Sequence, residues 1–271
     1  MSSATRIAGA SLHMWEEPPI SGKRGSGAIF FCGCSLGCVF CQNKDISRGG
    51  RDIGRDISDK ELIALIYRLA EEGAHNINFV TPTHFADTLV RILPEVRKSI
   101  SIPIIYNCGG YEKVEALQRL DGLVDVYLPD FKYFSDELAG KYSAAPNYRH
   151  IAVAAIKEMY RQVGKAVFSD GLMKKGMIIR HLLLPGCRHD SAAVLRLIAD
   201  TLPVEDIKIS IMRQYTPEFA PTGIDSLSRR VTSFEYDFVL SEAEKYGFDG
   251  YYQDKSSATS VYTPDFCKMP F

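Results

Sequence analysis

The sequence predicts one α/β domain that folds as a partial (β/α)6 barrel. Six short apolar runs alternate with stretches of helical periodicity, and such alternation is typical of a parallel sheet with helices on its outer side. No Gly-, Ser- or Pro-rich linker divides the 271 residues, of which 46% are hydrophobic, as in ordinary globular domains. An open, doubly wound sheet is the structural alternative, because it is built from the same βα units.

Each predicted strand is followed by a helical segment. The strands cover residues 27–32, 76–80, 103–106, 125–131, 177–184 and 207–212. The helices cover residues 58–73, 84–99, 112–120, 147–163, 190–201 and 228–246. The first helix has the clearest signal: Ser58 and Glu61 form a capping box, and apolar residues recur on one face at 62, 65, 66 and 69. A last short strand near Tyr251 closes or edges the sheet.

The two ends of the chain are predicted to differ from this core. Residues 1–24, which include Trp15 and two prolines, are expected to form an arm with little regular structure. The barrel domain is expected to span residues 25–271, with its core in residues 25–220 and a C-terminal helix and strand in residues 221–271.

Composition and charge exclude several classes of function. The net charge is −1 and there is no long basic run, so no nucleic-acid partner is expected. No apolar stretch approaches the roughly 18 residues that a membrane span needs, and the N-terminal residues lack a secretory signal. We therefore expect a cytoplasmic protein, where seven cysteines indicate metal binding more than disulfides.

Three cysteines lie in one short loop after the first predicted strand. Cys34, Cys38 and Cys41 have the spacing C-x3-C-x2-C, and three thiolates can hold three corners of a [4Fe–4S] cluster. The fourth iron is then open to another ligand. Gly33 and Gly37 allow the backbone to wrap around such a cluster, and a loop after a strand is expected at the carboxyl mouth of the sheet.

Other interpretations of the loop remain open. A structural zinc ion needs four ligands, and Cys32, Cys108 or a histidine would have to supply the fourth. Buried cysteines also cluster by chance, and Cys38 with Cys41 forms a redox-type C-x2-C pair. Cys32, Cys108, Cys187 and Cys267 are interpreted as core residues or bystanders.

With Phe40 just before Cys41, the cysteine motif resembles the signature of radical S-adenosylmethionine (SAM) enzymes. Further segments resemble those of glycyl-radical-enzyme activases in the same order along residues 25–220: Tyr106-Asn-Cys-Gly-Gly110, Asp130-Phe-Lys132 and Arg180-His-Leu-Leu-Leu-Pro-Gly186. The chain as a whole is similar to the branch related to pyruvate formate-lyase activating enzymes.

The resemblance implies a specific chemistry. A reduced [4Fe–4S] cluster cleaves SAM to a 5′-deoxyadenosyl radical, which abstracts hydrogen from a substrate; in an activase the substrate is a glycyl residue of a partner protein. Reduced flavodoxin or ferredoxin is the electron donor that the resemblance implies. A peptide- or small-molecule-modifying radical SAM enzyme is the alternative, and a non-catalytic iron–sulfur carrier or zinc-binding module is the alternative of another class.

The remaining candidate site residues lie at or just beyond predicted strand ends, where barrel enzymes place their active sites: Thr81, Thr83, Asn107, Asp130, Lys132, Arg180 and Gln214. Phe40, the two threonines, Asn107, Arg180 and Gln214 are the candidates for binding the cofactors.

Three of these residues carry charge. Asp130 and Lys132 lie two apart and therefore face the same side, as catalytic candidates or as ion-pair partners of their neighbours. Arg180 is expected to bind the SAM carboxylate or to pair with Asp130.

One segment departs from the family pattern. The expected Gly-Gly-Glu-Pro-like segment is replaced by Val80-Thr-Pro-Thr-His84, which has hydroxyls at Thr81 and Thr83 but no carboxylate.

Overall fold

In the computed structural model, which describes residues 4–48, 53–220, 222–257, 266 and 269–270, one mixed sheet carries helices on its outer side. The strands are β1 (Thr5–His13), β2 (Ser26–Phe31), β3 (Arg55–Ile57), β4 (Ile77–Val80), β5 (Ile104–Cys108), β6 (Val126–Pro129), β7 (Val167–Ser169), β8 (Leu172–Leu182), β9 (Lys208–Met212) and β10 (Gly250–Tyr252). The helices are α1 (Pro18–Ser21), α2 (Lys44–Ser47), α3 (Asp59–Glu71), α4 (Ala86–Val96), α5 (Val114–Gln118), α6 (Asp136–Ser143), α7 (Tyr148–Val163), α8 (Arg188–Thr201) and α9 (Ser233–Lys245).

The parallel strands follow one another across the sheet in chain order. The order runs β2, β4, β5, β6, β8, β9, β10, and each of these neighbours pairs in parallel. A doubly wound sheet reverses the order of its parallel strands at a switch point, and these seven parallel strands show no such reversal. The predicted partial barrel is therefore confirmed over the doubly wound alternative.

Helix α3 forms as its sequence predicts. The Ser58 hydroxyl accepts a hydrogen bond from the Glu61 backbone N–H at 3.3 Å, and the Glu61 carboxylate accepts one from the Ser58 backbone N–H at 2.8 Å. Both bonds satisfy donors that the first turn of a helix leaves free. The buried face of α3 consists of Leu62, Leu65, Ile66 and Leu69.

The sheet has two differently built faces, because successive strand residues point to opposite sides. On β5, Ile104 and Tyr106 join the large apolar core beneath the helices, while Ile105 faces the barrel lumen. Ile20 of the short helix α1 packs against Ile105 and its lumen neighbours. The lumen therefore has an apolar base that closes it on one side.

The prediction for residues 1–24 is wrong, because β1 lies within them and pairs antiparallel with β2, from Ile7 opposite Phe31 to His13 opposite Ser26. Its central residues are small, which weakens any alternation of large apolar and polar side chains, and one of its two partners, β3, is distant in sequence. Helix α6 and the β7–β8 hairpin were also missed. Cys267 lies outside the described residues.

Over the part of the chain that the structure describes, no helix is both long and apolar enough to span a bilayer.

Candidate active site

The three clustered cysteines line one cavity of about 260 Å³. Their loop leaves the carboxyl end of β2 through Gly33, whose positive φ of 88° suits glycine. Residues from the ends of β4, β5, β6, β8 and β9 line the same cavity. The cavity therefore lies at the carboxyl mouth of the parallel strands, as predicted for a barrel active site.

The cysteine loop is fixed by the C-terminal end of α6. The backbone N–H groups of Gly37 and Val39 donate to the carbonyl oxygens of Ser143 and Tyr142, at 2.7 and 2.8 Å. A Cβ at Gly37 would lie 3.2 Å from the Cβ of Ala144. This glycine permits close packing of the loop on α6, a helix that the sequence prediction lacks.

Each of the three thiols has a polar neighbour. Cys34 Sγ accepts from the Leu36 N–H at 3.4 Å, and Cys41 Sγ accepts from the Ser47 hydroxyl at 3.5 Å. Cys38 Sγ lies 2.9 Å from the Ser143 hydroxyl. Burial raises the pKa of Cys34 to about 11 and also raises that of Cys38, so metal binding has to displace their protons.

The three cysteines share one cavity. Among the described residues, no group of three His, Cys, Asp or Glu side chains is arranged to hold a single metal ion. Cys34, Cys38 and Cys41 all line the cavity, and a four-iron cluster is bound by thiolates at its separate corners. The buried Thr216 Oγ1, on the same cavity, has no protein hydrogen-bond partner. The residues present fit a cluster with a further polar ligand.

Arg180 is held by three acceptors on the lumen side. Its Nε donates to Asp130 Oδ1 at 3.0 Å, one terminal nitrogen donates to Asn107 Oδ1 at 2.6 Å, and the other donates to Glu16 Oε2 at 3.2 Å. The ion pair with Asp130, one of the two interpretations from sequence, is thus formed. Three of the five N–H donors of the guanidinium are engaged.

Asp130 and Lys132 face the same side, and Lys132 Nζ lies 2.5 Å from Asp130 Oδ2. Burial opposes ionisation of Asp130, but Lys132 and Arg180 outweigh it and hold the pKa of this carboxyl below its ordinary value. Burial likewise opposes the charge on Lys132, yet Asp130 and Cys38 keep its pKa well above the ordinary value. All three groups of this network are therefore charged near neutral pH.

Glu16 completes the network and was missed by sequence reasoning. Its Oε1 accepts from Asn78 Nδ2 at 2.8 Å and Asn107 Nδ2 at 3.3 Å, and its Oε2 accepts from Arg180. Glu16 follows β1 in the segment that was predicted to be an irregular arm. A single glutamate there belongs to no motif or periodic pattern, so no sequence signal identifies it.

The structure separates the two threonines that were predicted to bind the cofactor. Thr81 lines the cavity, with a positive φ of 57° that is rare for a β-branched residue. Thr83 does not line it, and its hydroxyl donates to Glu112 Oε1 at 2.6 Å. Its role in binding a cofactor stays a prediction, since the hydroxyl bonds to this buried carboxyl in the structure.

Gln214 and Phe40 both line the cavity. The Gln214 side-chain carbonyl accepts from Gln253 Nε2 at 3.0 Å. The Phe40 ring packs edge-on against Tyr215, with 6.0 Å between ring centroids. The aromatic residue before the third cysteine therefore joins the cysteine loop to the segment after β9.

The profile of the radical SAM superfamily matches residues 28–187. An uncharacterised protein of Methanocaldococcus jannaschii is 32% identical over 250 residues, which are 88% of this chain and 67% of the relative. Sequence and structure together thus define an iron–sulfur α/β barrel, and the chain belongs to the radical SAM superfamily, whose members use a [4Fe–4S] cluster and SAM.

Solved structures share the fold at low sequence identity. Streptococcus suis SuiB bound to the precursor peptide SuiA has a TM-score of 0.55 and 11% identity, over 84% of this chain and 48% of SuiB. Spore photoproduct lyase with bound AdoMet and dinucleoside spore photoproduct has a TM-score of 0.56 and 12% identity, over 82% and 74%. Methylornithine synthase has a TM-score of 0.54 and 13% identity, over 86% and 70%. The chain spans about half the length of SuiB.

Proposed function

We propose that this chain is a hydrogen-abstracting radical SAM enzyme whose cluster is held by Cys34, Cys38 and Cys41. The observation that carries the proposal is that all three cysteines line one cavity, together with residues from the strand ends. When bound, the reduced cluster supplies the electron that cleaves SAM to a 5′-deoxyadenosyl radical. The chain's own residues bind, orient and shield these groups.

The polar side chains of the cavity have distinct tasks in this proposal. Lys132 is buried near Cys38 and supplies positive charge beside the thiolates. Asp130 holds both Lys132 and Arg180, and so fixes the two cations in place. Asn107 and Gln214 offer amide groups to SAM, and Phe40 with its aromatic neighbour excludes water from the cluster.

The proposed substrate is a glycyl residue of a partner protein, because the Asp130-Phe-Lys132 and Arg180-to-Gly186 segments resemble those of the activases. Reduced flavodoxin or ferredoxin is the proposed electron donor, on the same resemblance. A peptide or small molecule is the second candidate substrate. SuiB, which shares the fold, was solved with a precursor peptide.

The first experiment tests the cluster and SAM cleavage. The protein is purified without oxygen, reconstituted with iron and sulfide, reduced and assayed for 5′-deoxyadenosine. We expect about four irons per chain and production of 5′-deoxyadenosine. Alanine variants of the three cysteines should lose both, while Cys187→Ala, which removes a thiol away from the cavity, should retain both.

Two other results would contradict the proposal. Binding of a single zinc ion in place of iron would indicate a zinc-stabilised module. A stable cluster that never cleaves SAM would indicate an electron carrier.

A second experiment separates the substrate classes. Cells of the source organism are grown on deuterated glycine, and their extract is divided into macromolecules and a small-molecule filtrate. Deuterium that enters 5′-deoxyadenosine only from the macromolecular fraction supports a glycyl substrate in a protein. Deuterium transfer from the filtrate, or none from the macromolecules, would reject the activase role.

A further inference from the structure

The acidic and basic side chains of the cavity occur in equal number. Apart from the three cysteines, the charged side chains among the described residues that line the cavity are Glu16, Asp130, Lys132 and Arg180, whose formal charges sum to zero. His13 also lines the cavity, but burial lowers its pKa and favours the neutral ring. Glu17 is buried near Arg180, and burial raises the pKa of its carboxyl, but Glu17 does not line the cavity. Glu16 and Asp130 are therefore the two carboxyl side chains among the described residues that line it.

Glu16 is held rigidly at this position. Its side chain is 10% exposed, and donors from β4, β5 and β8 hold its two carboxylate oxygens. It lies outside residues 28–187, the part of the chain that matches the superfamily. The segment after β1 thus adds a charge to a cavity whose cysteines belong to the shared domain.

The charge of the cavity matters because SAM carries a positive sulfonium sulfur. Without the Glu16 carboxylate, Asp130 would be the remaining carboxylate beside Lys132 and Arg180. The cavity would then be more positive by one charge, whatever charge the three thiolates and their cluster add. In a cavity that is poorly screened by water, one uncompensated charge changes affinity substantially.

We propose that Glu16 is a cofactor-positioning residue that makes the cavity accept the sulfonium cation of SAM. The inference rests on the proposed function, since it requires SAM to bind in this cavity. If Glu16 had only a structural role, its loss would weaken the binding of charged and uncharged ligands alike, whereas this inference predicts a difference between them. S-adenosylhomocysteine lacks the sulfonium charge and one methyl group, so its binding should depend far less on Glu16.

The test measures the affinity of both ligands for the cluster-loaded protein. The cluster is kept oxidised so that SAM is not cleaved, and binding is followed by calorimetry. Glu16→Gln keeps the size of the side chain and removes its charge. We expect the Kd for SAM to rise about tenfold and the Kd for S-adenosylhomocysteine to change less than about twofold. Glu218→Gln is the matched control, because Glu218 is exposed and pairs with Arg230 outside the cavity.

If Glu16→Gln does not fold, a variant that changes the charge of the cavity in the opposite direction still tests the inference. Lys132→Gln removes a positive charge from the same wall, so it should increase the preference for SAM over S-adenosylhomocysteine. Thermal unfolding of each variant shows whether it is folded.

The outcomes separate the two proposals. Equal weakening of both ligands by Glu16→Gln, or no change in either, would overturn the role of Glu16 while the wild type still binds SAM. A Lys132→Gln variant whose preference for SAM does not rise would also overturn it. A cluster-loaded wild type that binds neither ligand would overturn the proposed function and this inference with it.

Discussion

Carboxyl groups on the two faces of the barrel sheet have their pKa values shifted in opposite directions. Tyr106 and Asn107 are neighbours on β5 and point to opposite sides. On the outer face, the Tyr106 hydroxyl donates to the isolated carboxyl of Glu112 at 3.1 Å. On the lumen face, Asn107 joins the carboxylate of Glu16 to the guanidinium of Arg180.

The effect of burial on the pKa of a carboxyl depends on whether a cation lies nearby. Burial raises the pKa of Glu112 to about 7, although hydroxyl donors from Thr83 and Tyr106 lower it in part. Asp130 is largely shielded from solvent as well, but Lys132 and Arg180 reverse the effect and hold its pKa below the ordinary value. The outer face is thus built for packing, whereas the lumen face keeps its charged groups ionised.

The largest expected effect on stability comes from the outer face. Ile66 on α3 is fully buried in the outer core, and Ile66→Ala should lower the free energy of unfolding by about 2–5 kcal/mol, because it removes apolar contacts and leaves a cavity. Iron content and SAM affinity of the folded protein should not change. Urea unfolding checks the first expectation and calorimetry the second. Lys60→Ala, on the exposed side of the same helix, is the control. A loss of SAM affinity in Ile66→Ala would contradict the expectation that the outer core leaves ligand binding in the lumen unchanged.

The next effect is a pH dependence that originates on the outer face. Between about pH 4.5 and pH 7, unfolded Glu112 releases its proton while folded Glu112 keeps it. The stabilising contribution of its raised pKa is therefore complete below the unfolded pKa and is lost as the pH rises through the folded pKa. Relative to Glu112→Gln, the wild type should lose on the order of 3 kcal/mol of unfolding free energy over this range.

Denaturant unfolding at a series of pH values measures this difference. Glu61→Gln provides a comparison, since the exposed Glu61 has its pKa lowered by its hydrogen bonds to Ser58. Its contribution should change with pH in the opposite direction. Parallel stability curves for wild type and Glu112→Gln would contradict the raised pKa of Glu112.

The smallest effect concerns the lumen face. Thr81 adopts a left-handed backbone conformation that β-branched residues disfavour, so Thr81→Gly should relieve strain and raise the unfolding free energy by about 1 kcal/mol. Thr81→Ala keeps a Cβ and should gain less. Chemical unfolding compares the three proteins. If the glycine variant is less stable than the wild type, contacts of the Thr81 side chain outweigh the strain.

Local signals in the sequence were sufficient to predict the helices and strands whose formation depends on local interactions. The capping box at Ser58 predicts the start of α3, and the alternation of apolar runs with helical patterns predicts the parallel sheet. Strand ends predict that Asn107, Asp130 and Arg180 lie together, because parallel strands bring their carboxyl ends to one mouth. The position of the cysteine loop after a strand predicts that it lies at the same mouth, and all three cysteines line the cavity there.

The pairing of the charged and polar side chains in the cavity depends on the tertiary structure. Glu16 and Arg180 are 164 residues apart in the sequence, and Ser143 and Cys38 are 105 residues apart. No local sequence pattern predicts contacts between residues so far apart. Thr81 and Thr83 are two residues apart, yet only one lines the cavity, because the chain bends sharply after β4. The sequence alone was sufficient to predict the six βα units, the cysteine loop and the radical SAM superfamily. Packing of distant segments determined which carboxylate balances which cation, since that depends on proximity in space.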